Sequence, residues 1–204
     1  LFAADTRVTN LARTLQMSKE EAGKVNDEFT AIGASSGKAF FNAKNLSEAT
    51  AQLSKHLGVA NKLNTDLVKN QTFLTKQVGV SEGSAGKIAS LTKLQGKNAK
   101  DVNKEIATSV GNLKKETGIA LNLNDVFEDV AKANASLKAA YGFNTKLLAE
   151  QVVKSKQLGL SLEQSANMAN SLLNFESSIE NELSAELITG KNINLEESRR
   201  LALN

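Results

Sequence analysis

Lys156–Asn204 reads KQLGLSLEQSANMANSLLNFESSIENELSAELITGKNINLEESRRLALN, and its spacing decides the fold class. Ser161 is a good helix N-cap, and Gln164 stands three residues later, the spacing of a capping box. Leu162, Ala166, Ala169, Leu172, Leu173, Ile179, Leu183 and Leu187 follow at steps that place them on one helix face. Gly190 supplies a stop, and Asn194 with Glu197 starts a further helix. One long helix from Ser161 to Thr189 is therefore expected. Leu172, Ile179, Leu183 and Leu187 approximate a coiled-coil seam, with Glu176 at an intervening seam position. Nothing in the stretch resembles a catalytic site.

Composition extends this reading to the whole chain. The 204 residues contain no proline, cysteine or tryptophan. Average proline usage is about 5%; its absence fits a chain held mostly in helix, where proline would break the ladder. Aromatics are only 4%, so the core must be Leu, Ile, Val and Ala. A thin core of this kind favours association with partner chains. The lack of cysteine removes disulfides and thiolate metal sites. No run of apolar residues is long enough for a transmembrane helix. The chain opens at Leu1 rather than Met and reads as part of something longer.

Charge is uneven along the chain. Residues 160–204 hold seven acids (Glu163, Glu176, Glu180, Glu182, Glu186, Glu196, Glu197) against Lys191, Arg199 and Arg200, a net of −4. The total is +3, so the preceding residues carry +7. The two ends therefore suit different partners.

A punctuation mark recurs upstream: an apolar or small residue, glycine, an apolar residue, then often Ser, Asn or Ala. It centres on Gly58, Gly79, Gly118, Gly142 and Gly159; Gly37 and Gly96 are looser versions. Leu15-Gln16-Met17-Ser18 is a variant without the glycine. The marks at 17, 37, 58, 79, 96, 118, 142 and 159 fall every 17 to 24 residues. Glycine after a helix takes the left-handed conformation, and the Ser or Asn beyond it caps the next helix. The intervening segments share little sequence, so the pattern reads as a series of short helices rather than a true repeat. No stretch alternates with period two for long enough to form a strand. The expected fold is all-α: short amphipathic helices with glycine-capped turns, then the long C-terminal helix, assembled as a helical bundle or coiled coil. More than about 65% helix is expected. Three regions follow: N-terminal helices over 1–36, short Gly-punctuated helices over 37–155, and the long helix with a further helix start over 156–204. Gly33–Gly37 has the composition of a hinge, and Ser81–Gly86 that of a second weak point.

Candidate chemistry is sparse. His56 is the only histidine and sits where a helix dipole favours positive charge. Glu176, Glu180, Glu182 and Glu186 crowd one helix without the aromatic platform or oxygen-rich loop that would give carboxylates a task; they read as a solvated or ion-pairing face. Lys93, Lys97, Lys100 and Lys104 recur at helical spacing as a basic stripe for phosphates or an acidic protein surface, although Asp101 and Glu105 interleave. No phosphate loop is present, because no GxxxxGK[ST] occurs. No cofactor, metal site or small-molecule substrate is expected.

Leu158-Gly159-Leu160-Ser161, Ser171-Leu172-Leu173-Asn174-Phe175-Glu176-Ser177-Ser178-Ile179, Ala185-Glu186-Leu187-Ile188-Thr189-Gly190-Lys191 and Asn194-Leu195-Glu196-Glu197-Ser198-Arg199 resemble segments of tail tape-measure proteins of tailed bacteriophages. The resemblance is densest over Leu158–Asn204; upstream it is one of style. It implies a long helical virion protein that sets tail length inside the tail tube. It further implies anchoring at the tail tip or baseplate hub, contact with tail-tube proteins, and release ahead of the genome, with transient contact to DNA or membrane. Some members carry peptidoglycan-cleaving domains, whose residues are not found here. The apolar stripe from Leu172 to Leu187 is expected to mediate self-association, and the resemblance implies a homotrimer, with the Glu180–Glu186 face toward solvent or a basic tail-tip protein. A membrane-active helical protein and an intracellular helical scaffold are the alternatives.

Overall fold

The computed structural model describes Phe2–Leu203. It is all-helical, 77% helix with no strand among the described residues. The helices are α1 Phe2–Leu15, α2 Lys19–Ser36, α3 Ala43–Leu57, α4 Thr65–Phe73, α5 Glu82–Leu94, α6 Ala99–Thr117, α7 Leu123–Lys132, α8 Ala135–Ala140, α9 Thr145–Gln157, α10 Leu162–Leu173, α11 Phe175–Thr189 and α12 Glu196–Ala202. A π-helical segment, Leu74–Val78, continues α4. The chain divides into two compact units, Leu1–Val153 and Lys154–Asn204.

Side-chain caps start most of these helices. At α2 the box is reciprocal: the Glu21 amide donates to Ser18 Oγ at 3.1 Å, and the Ser18 amide donates to Glu21 Oε2 at 2.9 Å. The left-handed glycines are Gly37, Gly58, Gly79, Gly96, Gly118, Gly142, Gly159 and Gly190, with φ between 58° and 85°, and Phe143 follows Gly142 at φ 56°. Gln16, at the mark that lacks a glycine, adopts the same region at φ 51°.

In the first unit α1, α2 and α3 pack on one another, α3 carries α4 and α5, and α5 packs on α7. One cluster runs through Leu11, Leu15, Val25, Phe29, Leu46 and Leu53. Ile88, Val102, Ile106, Phe127, Val130 and Leu148 are buried further along. Charged groups tie the later helices together. Glu128 on α7 accepts the Ser81 amide at 2.6 Å and the Ser84 hydroxyl at 2.8 Å, both at the start of α5. That end carries the positive pole of the helix dipole. Burial opposes ionisation of Glu128, but these bonds and Lys132 outweigh it and hold the carboxyl at about 2.

Several sequence expectations are corrected. Gly33–Ser36 is not a hinge but the last turn of α2, and only Gly37 leaves the helix. A Cβ at Gly33 would lie 3.1 Å from the Phe41 carbonyl oxygen, so the glycine serves close packing. Ser81–Gly86 is likewise no weak point: it caps and opens α5, with Ser84, Ala85 and Gly86 buried. Small residues there allow close approach; a Cβ on Gly86 would lie 2.7 Å from His56 Cγ. His56 itself sits in the last turn of α3. That helix begins at Ala43, because Asn42 accepts the Asn45 amide as its cap. Residues 87–116 hold parts of two helices, as the mark at Gly96 implies. So do residues 124–141, where Ala133 and Asn134 separate α7 from α8.

Candidate functional site

The second unit buries few apolar side chains. It comprises the end of α9, then α10, α11 and α12, with α10 packed on both α11 and α12. Among the described residues Leu162 is its single buried large apolar side chain. Ile179, Leu183, Leu187 and Ile188 are exposed at 45%, 60%, 89% and 83%, and Leu158, Met168, Phe175, Leu201 and Leu203 are also exposed.

The long helix expected over 161–189 is broken. Asn174 takes φ −81° and ψ 84°, which ends α10 and starts α11. Asn174 makes no side-chain cap bond there; asparagine is a poor helix former, and the apolar spacing alone could not reveal the break. The seam is divided as a result. Leu172, half-buried, lies on α10, whereas Ile179, Leu183 and Leu187 lie on α11 in line with Phe175 at four-residue steps.

The loop after Gly190 folds back on α11. Glu186 Oε1 accepts the Ile193 amide at 2.8 Å, and Glu182 Oε1 accepts the Leu195 amide at 3.2 Å. Arg199 from α12 reaches Glu182 Oε2 at 2.5 Å and donates to Ser178 Oγ at 3.1 Å. The Arg199 hydrogen bond holds the Glu182 carboxyl below its ordinary range. Two members of the expected acidic face, Glu182 and Glu186, are thus spent on their own chain. The expected box at Asn194 also changes. Asn194 accepts the Glu196 amide at 2.9 Å, while Glu197 pairs with Arg200. Glu176 and Glu180 remain exposed beside the apolar stripe, with no ion pair among the described residues.

The four lysines of the expected basic stripe do not share a helix. Lys93 ends α5, Lys97 lies in the turn made by Gly96, and Lys100 and Lys104 are on α6. Lys97 is 2.6 Å from Glu105. The spacing ran on through a turn that only Gly96 marked.

Lys100 instead joins Lys38 and Lys69 on the rim of a groove in the first unit, between α2, α4 and α6. Ile32, Phe41 and Phe73 give the groove apolar walls, Asn70 and Asn103 lie between them, and Asp66 is the one acid on the rim. Its volume is about 500 Å³. The Phe40 ring lies 4.6 Å from Phe41 and 6.3 Å from Phe73, and Lys38 Nζ is 5.8 Å from the Phe40 ring. Asn103 donates to Asn70, and the Asn103 Oδ1 atom is buried without a partner. Sequence reasoning missed this groove because its residues are far apart in the chain. The adjacent Phe40-Phe41 in an aromatic-poor sequence was the available signal.

Among the described residues no three His, Asp or Glu side chains are placed to hold a metal ion. No described helix is long and apolar enough to cross a membrane. No family model matches the chain, and no curated protein matches it.

Proposed function

We propose that the chain is a non-enzymatic structural protein of tape-measure type, part of a phage tail, whose C-terminal unit is an association module. The observation that carries the association is the exposed stripe Ile179, Leu183, Leu187 on α11. Contiguous exposed apolar surface marks an interface in soluble proteins. Burying a Leu or Ile side chain fully is worth about 1.5–3 kcal/mol. The few side chains of this stripe must meet an association cost of about 4–15 kcal/mol, so the interface needs a well-shaped partner surface as well. The resemblance over Leu158–Asn204 supports the phage assignment and a homotrimer, with the tail tip, baseplate hub and tail tube as further partners and DNA or membrane as transient ones.

Glu176 and Glu180 beside the stripe argue against the membrane-active alternative. An interfacial helix that binds anionic lipid is rich in Lys and Arg on its polar face, whereas α11 contains neither. An intracellular scaffold would share the stripe but not the particle. Purified tails from the source phage test the assignment. Recovery of this sequence inside the tail, as a segment of a reading frame many hundreds of residues long, is the expected result. Its absence from tailed particles contradicts the reading.

A further inference from the structure

We propose that the α11 stripe seats in the lysine-rimmed groove between α2, α4 and α6 of a second copy of this chain. This rests on reading α11 as a self-association surface and names what that surface meets. A stripe-on-stripe coiled coil is the simpler idea, but α11 has only 15 residues. Sustained coiled coils need about three or four heptads, and the break at Asn174 removes Leu172 from the seam. A short helix with anchors at four-residue steps suits a groove instead. Ile179, Leu183 and Leu187 are such anchors, and all three are exposed.

The groove has matching chemistry. Its walls are Ile32, Phe41 and Phe73, and its volume of about 500 Å³ lies in the range of real binding pockets. Lys38, Lys69 and Lys100 on the rim face a single acid, Asp66. None of the three lysines has an ion pair among the described residues. On α11, Glu176 and Glu180 are one turn apart and flank Ile179. The apolar stripe with two carboxylates thus complements an apolar groove with three ammonium groups, of which Lys69 also feels Glu28 and Lys38 the Phe40 ring. The wider charge imbalance, −4 over residues 160–204 and +7 before them, steers the same encounter. Such a contact is heterologous: helix on one copy, groove on the next. It closes as a ring when the rotation allows, and a ring of three copies is the expected trimer.

Sedimentation equilibrium of the whole chain tests the pairing with charge-swapped variants, each checked for helix content by circular dichroism. Lys69→Glu with Lys100→Glu alters the groove, and Glu176→Lys with Glu180→Lys alters the stripe. Each pair alone is expected to weaken association by about tenfold or more, and all four together are expected to restore it. If the groove variant associates like the wild type, the groove is not the partner surface, and self-association through α11 stands on another contact. Weakening by both pairs without restoration also overturns the pairing. A wild-type chain that stays monomeric overturns both the pairing and the association reading on which it rests.

Discussion

Arg199 lies 2.5 Å from Glu182 across the turn made by Gly190, and its guanidinium also donates to Ser178 at 3.1 Å. The contact turns one acidic edge of α11 inward and leaves the stripe with Glu176 and Glu180 facing out. Arg199→Ala is expected to release α12 and the loop before it. Trypsin should then cleave after the exposed Lys191 several-fold faster than in the wild type. The Glu182 carboxyl is depressed below its ordinary value. Its contribution is therefore present above the unfolded pKa and is lost as pH falls through the folded one. Acid should accelerate release of the same segment in the wild type and have less effect in the variant.

Glu128 offers a cleaner test of pH linkage. Its carboxyl is held at about 2 against an ordinary 4.5. Glu128→Ala leaves the Ser81 amide without its partner and is expected to cost about 2 kcal/mol at neutral pH. Because the folded pKa is the lower one, this stabilisation is present above pH 4.5 and fades as pH falls toward 2. Thermal melts of the two proteins should converge over that window. A gap in Tm that is unchanged down to pH 2 contradicts the assigned bonds.

Gly86 and His56 should show coupling. Alanine in place of a helical glycine normally gains about 1 kcal/mol. At Gly86 the new methyl carbon meets the His56 ring at 2.7 Å, so the ring must swing away. Gly86→Ala is expected to gain about 1 kcal/mol in a His56→Ala background and little or nothing in the wild type. Urea unfolding of the four proteins in the cycle measures the difference. Equal gains in both backgrounds would show that the ring does not crowd the site.

The helix ends predict opposite effects at two positions. Gly118 has φ 73° with open space around its Cβ direction, so Gly118→Ala tests backbone conformation alone. A loss of about 1 kcal/mol is expected. Gln16 holds φ 51° with a side chain present, and Gln16→Gly is expected to gain roughly 0.5–1 kcal/mol after the added unfolded-state entropy is subtracted. Equilibrium unfolding checks both signs.

These positions also show what was legible in the sequence. The box at Ser161 is local chemistry and forms as read, and Ser18 with Glu21 forms another at the same spacing. The glycine marks are equally local, since positive φ excludes most other residues. The break at Asn174 was hidden because apolar spacing carried on across it, whereas the one at Gly96 was marked and only the lysine spacing was read through it. Gly33 and Gly86 were read as loosening the chain, when each lets two segments approach closely. That distinction depends on tertiary neighbours. The groove was illegible for the same reason: Ile32, Phe73 and Asn103 meet only after α2, α4 and α6 have packed. The α11 stripe was readable residue by residue, but its exposure was not, because exposure depends on how the helices of the second unit pack.

Sedimentation equilibrium of the whole chain, alone and as Ile179→Asp with Leu183→Asp, tests the central claim most directly. The account predicts a concentration-dependent oligomer for the wild type. It predicts a monomer for the variant, with the helices of Leu1–Val153 intact by circular dichroism. A wild-type chain that remains monomeric at the highest concentration reached, or a variant that associates as the wild type does, would contradict it.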